Sequence, residues 1–152
     1  MLTTQGTKGM KFWIGALGEL ANVSVVWAQL IIDGDSKGPH PFFMNIRCSK
    51  THKVLPGIKI GDCGPKKGLN YIDNGYMILE DVRIPRENLL GKYGSVDSKG
   101  VYSSIIKDWG ARFGIHMSAL SAGRGSLAFT TMTTSLNACT IALRYSHSRK
   151  QF

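Results

Sequence analysis

Between residues 23 and 32, Val23, Val25, Trp27, Gln29 and Ile31 alternate with their neighbours, and β-branched residues are dense. That pattern predicts a strand. Gly34 and Gly38-Pro39 punctuate a turn, and residues 42–47 read as a second strand. Leu55-Pro56-Gly57 predicts another turn, followed by a short strand over 58–60. Asp73-Asn74-Gly75 predicts a tight hairpin, because Asn-Gly accepts the positive φ angles of a type I′ turn. Residues 76–84 then form the return strand, halted by Pro85. Short strands parted by Gly and Pro turns predict an antiparallel sheet, barrel or sandwich-like domain.

After a loop rich in Gly and Ser (91–104) the period changes. Met117, Leu120, Ala128, Met132, Leu136, Cys139 and Leu143 recur at multiples of three or four, which predicts one face of a long helix over roughly 113–149. Arg124 falls on that stripe, flanked by Gly123 and Gly125, each costing about 1 kcal/mol against alanine inside a helix. An arginine so placed awaits either an anionic ligand or a carboxylate from another helix. Arg149 follows Arg124 by 25 residues, which at 100° per residue returns it to within about 20° of the same face. A continuous helix would separate the two by about 37 Å, too far for one phosphate. One helix cannot bury its stripe on a small sheet, so it is expected to belong to a helical bundle. The fold class is therefore α+β.

Composition excludes more than it proposes. The chain has 152 residues, 43% hydrophobic and 19% charged, enough for a domain with a core. No run approaches the roughly 20 apolar residues of a membrane-spanning helix, and the start lacks the features of a signal peptide. A soluble intracellular protein with no membrane partner is the expectation. Cys48, Cys63 and Cys139 are odd in number and widely spaced, which fits a reducing compartment better than a disulfide framework. Cys48 with His52 is too little for a zinc site, so no metal is expected. His40, His116 and His147 read as surface or satisfied core histidines. The net charge of +9 raises nucleic acid as a partner, but the basic residues are scattered and no aromatic-interleaved motif accompanies them. A phosphate-bearing small molecule would use a few of them.

Several stretches, in order, resemble the acyl-CoA oxidases, relatives of the acyl-CoA dehydrogenases. Lys11-Phe12-Trp13-Ile14-Gly15-Ala16-Leu17-Gly18 is similar to that family's Lys-Trp-Trp-x-Gly-Gly-Leu-Gly segment, with Phe12 in place of the first tryptophan. Trp27-Ala28-Gln29-Leu30, Thr51-His52-Lys53-Val54-Leu55-Pro56-Gly57-Ile58 and Gly61-Asp62-Cys63-Gly64-Pro65-Lys66 follow. So do Asp73-Asn74-Gly75-Tyr76, Val82-Arg83-Ile84-Pro85-Arg86-Glu87-Asn88-Leu89-Leu90, Cys139-Thr140-Ile141-Ala142-Leu143-Arg144-Tyr145 and Ser148-Arg149-Lys150-Gln151-Phe152.

The resemblance implies a middle β-domain over 1–104 and the start of a C-terminal helical domain over 105–152. It implies an FAD cofactor, with Trp13 against the flavin ring and Gly15 admitting its close approach, where dehydrogenases usually carry threonine. Arg149, Lys150 and Gln151 match a segment that reaches the FAD of the neighbouring subunit in a homodimer, and Arg124 matches the arginine that contacts bound fatty acyl-CoA. The family reaction is α,β-desaturation of the acyl-CoA to the trans-2-enoyl-CoA, with O2 reduced to H2O2, in the peroxisome. The family's catalytic glutamate falls beyond Phe152, and Glu19, Glu80 and Glu87 match no catalytic motif. No catalytic residue, an internal fragment and an inactive isolated chain are the resulting expectations. The other reading is a non-catalytic structural or assembly subunit built on the same fold.

Overall fold

The computed structural model describes residues 1–152. Its strands are β1 (Lys11–Gly15), β2 (Val23–Ile32), β3 (Asp35–Asn45), β4 (Ile58–Asp62), β5 (Asn74–Leu79), β6 (Gly94–Val96) and β7 (Tyr102–Ser104). The helices are α1 (Trp109–Ser118) and α2 (Ser121–Ser148). The chain divides into two units, Met1–Trp109 and Gly110–Phe152. The first is all β apart from two short 3-10 turns; the second is helical.

The β unit holds three separate antiparallel sheets, and none closes into a barrel. β2 and β3 form a long hairpin in which Ile32 pairs with Asp35 across Asp33-Gly34. Both turn residues have positive φ, 52° and 84°, as a type I′ turn requires. The strand predicted over 23–32 is present with those bounds. The second strand begins at Asp35, seven residues earlier than its pattern predicts. Pro39 and Pro41 hide it, since proline normally ends a strand. Here the Pro41 carbonyl accepts from the Leu90 amide, 3.0 Å away, so residue 41 faces away from β2. Pro39, two residues earlier, has the same parity, and neither proline costs the hairpin a ladder bond.

The second sheet has the order β1-β5-β4. Its centre corrects the turn expected at residues 73–75. Asn74 and Gly75 stand inside β5, paired with Gly15 and Ile14 of β1, while Gly75 also pairs with Asp62 of β4. The Asp73-Asn74-Gly75 glycine answers to crowding and not to a left-handed turn. A Cβ on it would stand 2.5 Å from the Gly18 nitrogen, and its φ is not positive. The return strand also stops at Leu79, short of Ile84, where Asp81 takes a positive φ of 51°. The loop predicted over 91–104 contains the β6–β7 hairpin. The Asp97 carboxylate closes it, accepting from the amides of Lys99 and Val101 at 2.8 Å each.

The core lies between the β2–β3 hairpin and the three-stranded sheet. Leu2, Leu17, Val26, Phe42, Met44, Ile46, Ile58, Met77 and Leu79 are buried there. At about 1.5–3 kcal/mol for each buried side chain of this kind, these nine are the main stabilising contribution. His40 is buried as a satisfied histidine, its Nδ1 2.9 Å from the Gly38 carbonyl and its Nε2 3.0 Å from the Tyr102 hydroxyl.

In the helical unit, the single helix expected over 113–149 is two helices parted at Ala119-Leu120. The Ser118 hydroxyl donates to the Ile115 carbonyl, the acceptor that a helical Ala119 amide would use. Leu120 N then bonds Met117 O, three residues back, which tightens and breaks the turn. The single apolar stripe is also corrected. Every residue of α2 is exposed, and Leu127 and Ile141 lie on the side of the helix opposite the stripe formed by Met132, Leu136 and Leu143. The apolar residues surround the helix, a pattern proper to helices packed on several sides. Hydroxyls of Thr130, Thr131, Thr133, Thr134, Ser135, Thr140 and Ser146 donate to carbonyls four residues back, so their polarity is spent within the helix. No helix is long and apolar enough to cross a membrane.

Candidate functional site

β1 is irregular where it matters. Its pairing with β5 shifts register between Lys11 and Ile14. Within that bulge Trp13 adopts a φ of 64°, a left-handed conformation that a bulky side chain rarely takes. Regular alternation would place Phe12 and Trp13 on opposite faces. The bulge leaves both exposed, each at 56%, with ring centroids 6.1 Å apart and planes tilted by 43°. Trp13 is therefore no part of this chain's core. A strained backbone that holds two aromatic rings toward solvent is a feature of sites that receive a ligand.

Gly15, two residues on, has an ordinary φ, and nothing lies within 4 Å of the place a Cβ would fill. Neither backbone strain nor crowding inside the chain demands glycine here. Its lack of a side chain leaves the backbone open to close approach from outside.

The loop that follows, residues 16–22, is held by three side chains from two distant segments. Arg47 is buried at 6% exposure and donates to the carbonyls of Ala21 (2.6 Å), Leu17 (2.9 Å) and Gly18 (2.6 Å). Asp73 Oδ2 accepts from the amides of Glu19 and Leu20, both at 3.0 Å. His52 Nε2 lies 2.6 Å from the Glu19 carbonyl and must be the donor there. These residues escaped the sequence reading as site components. Arg47 left one signal, a cation at the end of an otherwise apolar strand pattern.

Desolvation pushes the Asp73 carboxyl up. Donation from the amides of Glu19, Leu20 and Gly18, with the nearby Arg47 charge, outweighs it and holds the group below its ordinary value. The unfolded chain then binds more protons in acid, so stability from Asp73 is present above about pH 4 and is lost as pH falls through the lowered value. Urea midpoints measured from pH 6 to pH 2 are expected to fall more steeply for the unmodified chain than for Asp73→Asn. Parallel curves would show that the carboxylate contributes nothing.

The remaining predicted residues lie in the helical unit. Arg124 is exposed in the first turn of α2, its amide bonded to the Leu120 carbonyl. Arg149 caps the other end, still donating its amide to Tyr145 O at 2.8 Å, and then turns extended with ψ 115°. The helix is thus continuous between the two arginines, and its rise keeps them about 37 Å apart. Lys150 and Gln151 lie beyond it, exposed. The structure brings Trp13 and Gly15 together on one strand and sets Arg124 apart from the Arg149-Lys150-Gln151 group. No group of three or more His, Cys, Asp or Glu side chains is arranged to hold a metal.

β1 thus carries an exposed aromatic pair beside an open glycine, on an α+β chain. In sequence and in fold the chain is related to the acyl-CoA oxidases, of which it matches one segment. Peroxisomal acyl-coenzyme A oxidase 3 of Homo sapiens is 43% identical over 143 residues, 93% of this chain and 20% of the relative. Peroxisomal acyl-coenzyme A oxidase 1 of Dictyostelium discoideum is 42% identical over 161 residues, 99% of this chain and 22% of the relative. Among solved structures, acyl-CoA oxidase 3 from Yarrowia lipolytica superposes with a TM-score of 0.86 at 36% identity, over 99% of this chain and 21% of that one. Acyl-CoA oxidase-2 of Caenorhabditis elegans, bound with FAD, ascaroside-CoA and ATP, gives 0.85 at 38% identity, over 99% and 22%. The chain spans about a fifth of the length of the relatives it matches. No protein-family profile matches it.

Proposed function

We propose that this chain is the flavin-facing part of an FAD-dependent acyl-CoA oxidase, acting on fatty acyl-CoA in peroxisomal β-oxidation. The observation that carries the reading is the strained, exposed Trp13 beside the unobstructed Gly15, on a chain that matches acyl-CoA oxidases along nearly its whole length. These residues fit a flavin: Trp13 offers an apolar ring that would exclude water from one edge of the flat cofactor, and Gly15 leaves its backbone open to it. FAD, when bound, supplies the acceptor for the substrate's β-hydride and the route for its electrons to O2, giving H2O2 and the trans-2-enoyl-CoA.

The helical unit would supply the anion contacts. Arg124, Arg144, Arg149 and Lys150 are exposed on a segment, residues 110–152, that carries no Asp or Glu. Arg124 would hold the acyl-CoA. Arg149, Lys150 and Gln151 would reach the FAD of a second subunit in a homodimer, since the chain leaves the helix there and a guanidinium fork suits a pyrophosphate. The two ends of α2 would serve different ligands. The proposal assigns no catalytic base to Glu19, Glu80 or Glu87.

Mixing the chain with FAD and palmitoyl-CoA tests the reading. Flavin is expected to be retained through gel filtration while no peroxide forms. Peroxide production would show that a catalytic base lies within these residues, against the proposal.

A further inference from the structure

We infer that Arg47, Asp73 and His52 form a positioning cluster that fixes the Trp13–Gly15 segment by immobilising the loop next to it. The inference rests on the reading of that segment as flavin-facing. A surface loop ordinarily leaves its backbone groups to water. Here the carbonyls of Leu17, Gly18 and Ala21 are taken by Arg47, that of Glu19 by His52, and the amides of Glu19 and Leu20 by Asp73. Three side chains from two other parts of the fold thus satisfy six backbone groups within five residues.

The loop is also joined to β1 and β5 through main chain. Ala16 N donates to Asp73 O at 2.8 Å, Ala21 N to Ala16 O at 2.7 Å, and Leu17 N to Ile14 O at 3.4 Å. Gly18 completes the seat, because a Cβ there would meet Asp73 Oδ1 at 2.5 Å and Asp62 Oδ2 at 3.2 Å. Ala16, the hinge between the strand and the loop, has a positive φ of 59°. Trp13 and Ala16 both occupy a conformation the isolated segment would leave, and the cluster supplies the contacts that hold it there. The Arg47 fork is suited to this because two of its nitrogens reach three carbonyls at once. The three residues act through the loop, since their contacts are with its backbone.

The test follows Trp13 alone, in chains where Trp27 and Trp109 are both replaced by phenylalanine. Asp73→Asn preserves shape and removes the charge. Its Glu19 and Leu20 amides are expected to exchange with solvent roughly tenfold faster, with β3 and β5 amides unchanged. Trp13 fluorescence anisotropy is expected to fall without flavin present, and FAD affinity to fall roughly tenfold. His52→Asn provides an exposed second variant that tolerates the local positive φ of 57° but is too short to reach the Glu19 carbonyl. It is expected to lower the anisotropy less, in the same direction. Unchanged Trp13 anisotropy alongside faster loop exchange in either variant would overturn the inference, as would loss of protection across β3 and β5 at the same time. Failure of the unmodified chain to bind FAD would count against the flavin reading alone, since the anisotropy needs no cofactor.

Discussion

Gly75→Ala is expected to lower the stability of the β unit by about 3 kcal/mol, at the upper end of the usual penalty for forcing an atom into a packed interior. The added Cβ would stand 2.5 Å from Gly18 N, 2.8 Å from Gly18 Cα and 3.0 Å from Gly61 O. All three are backbone atoms, so no side chain can swing aside to make room. Gly75 lies in β5, the central strand of its sheet, and relief requires β5 to part from the loop after β1 or from β4. The strain would therefore reach Ile14 and its neighbour Trp13. A urea titration should show a lower midpoint with an unchanged slope. Gly15→Ala is the internal control: with open space around the new Cβ it should leave stability within about 0.5 kcal/mol. A midpoint for Gly75→Ala equal to that control would mean the close approach of the two backbones is not as described.

Leu17→Ala is expected to cost a similar amount, about 3 kcal/mol, for a different reason. Leu17 is 1% exposed and belongs to the core, although it sits in the loop beside the Trp13–Gly15 segment. Removing its three outer carbons leaves a cavity bordered by a sheet that can collapse only partly. The same change detaches the loop's apolar anchor while leaving the polar contacts of Arg47 and Asp73 in place. Destabilisation should therefore be accompanied by weaker FAD binding. A change below about 1 kcal/mol would show that the core tolerates collapse at this position.

How much was legible in the sequence depended on whether local pattern and tertiary contact agreed. β2 was legible because it is dense in β-branched residues and no proline interrupts it. The first half of β3 was hidden by Pro39 and Pro41, whose tolerance depends on which edge each nitrogen faces, a property of pairing and not of composition. Asn74-Gly75 carries the local signature of a turn, but the glycine is required by the approach of Gly18, 57 residues earlier in the chain. The helical period over 113–149 was visible, whereas its interruption turned on one serine hydroxyl competing for a carbonyl. Trp13 and Gly15 could be singled out by resemblance. The backbone strain at Trp13 and the emptiness around Gly15 could be seen only in three dimensions. Arg47 and Asp73 were invisible as site residues because their partners are backbone groups, which leave no mark in sequence.

The measurement that tests the central claim most directly is a titration of the chain with FAD, followed through the fluorescence of Trp13 with Trp27 and Trp109 replaced by phenylalanine. Saturable quenching of Trp13, with yellow flavin retained by a dimer in gel filtration, is the predicted result. Emission that is indifferent to FAD, with all the flavin emerging separately from the chain, would contradict the assignment of the Trp13–Gly15 segment as a flavin site.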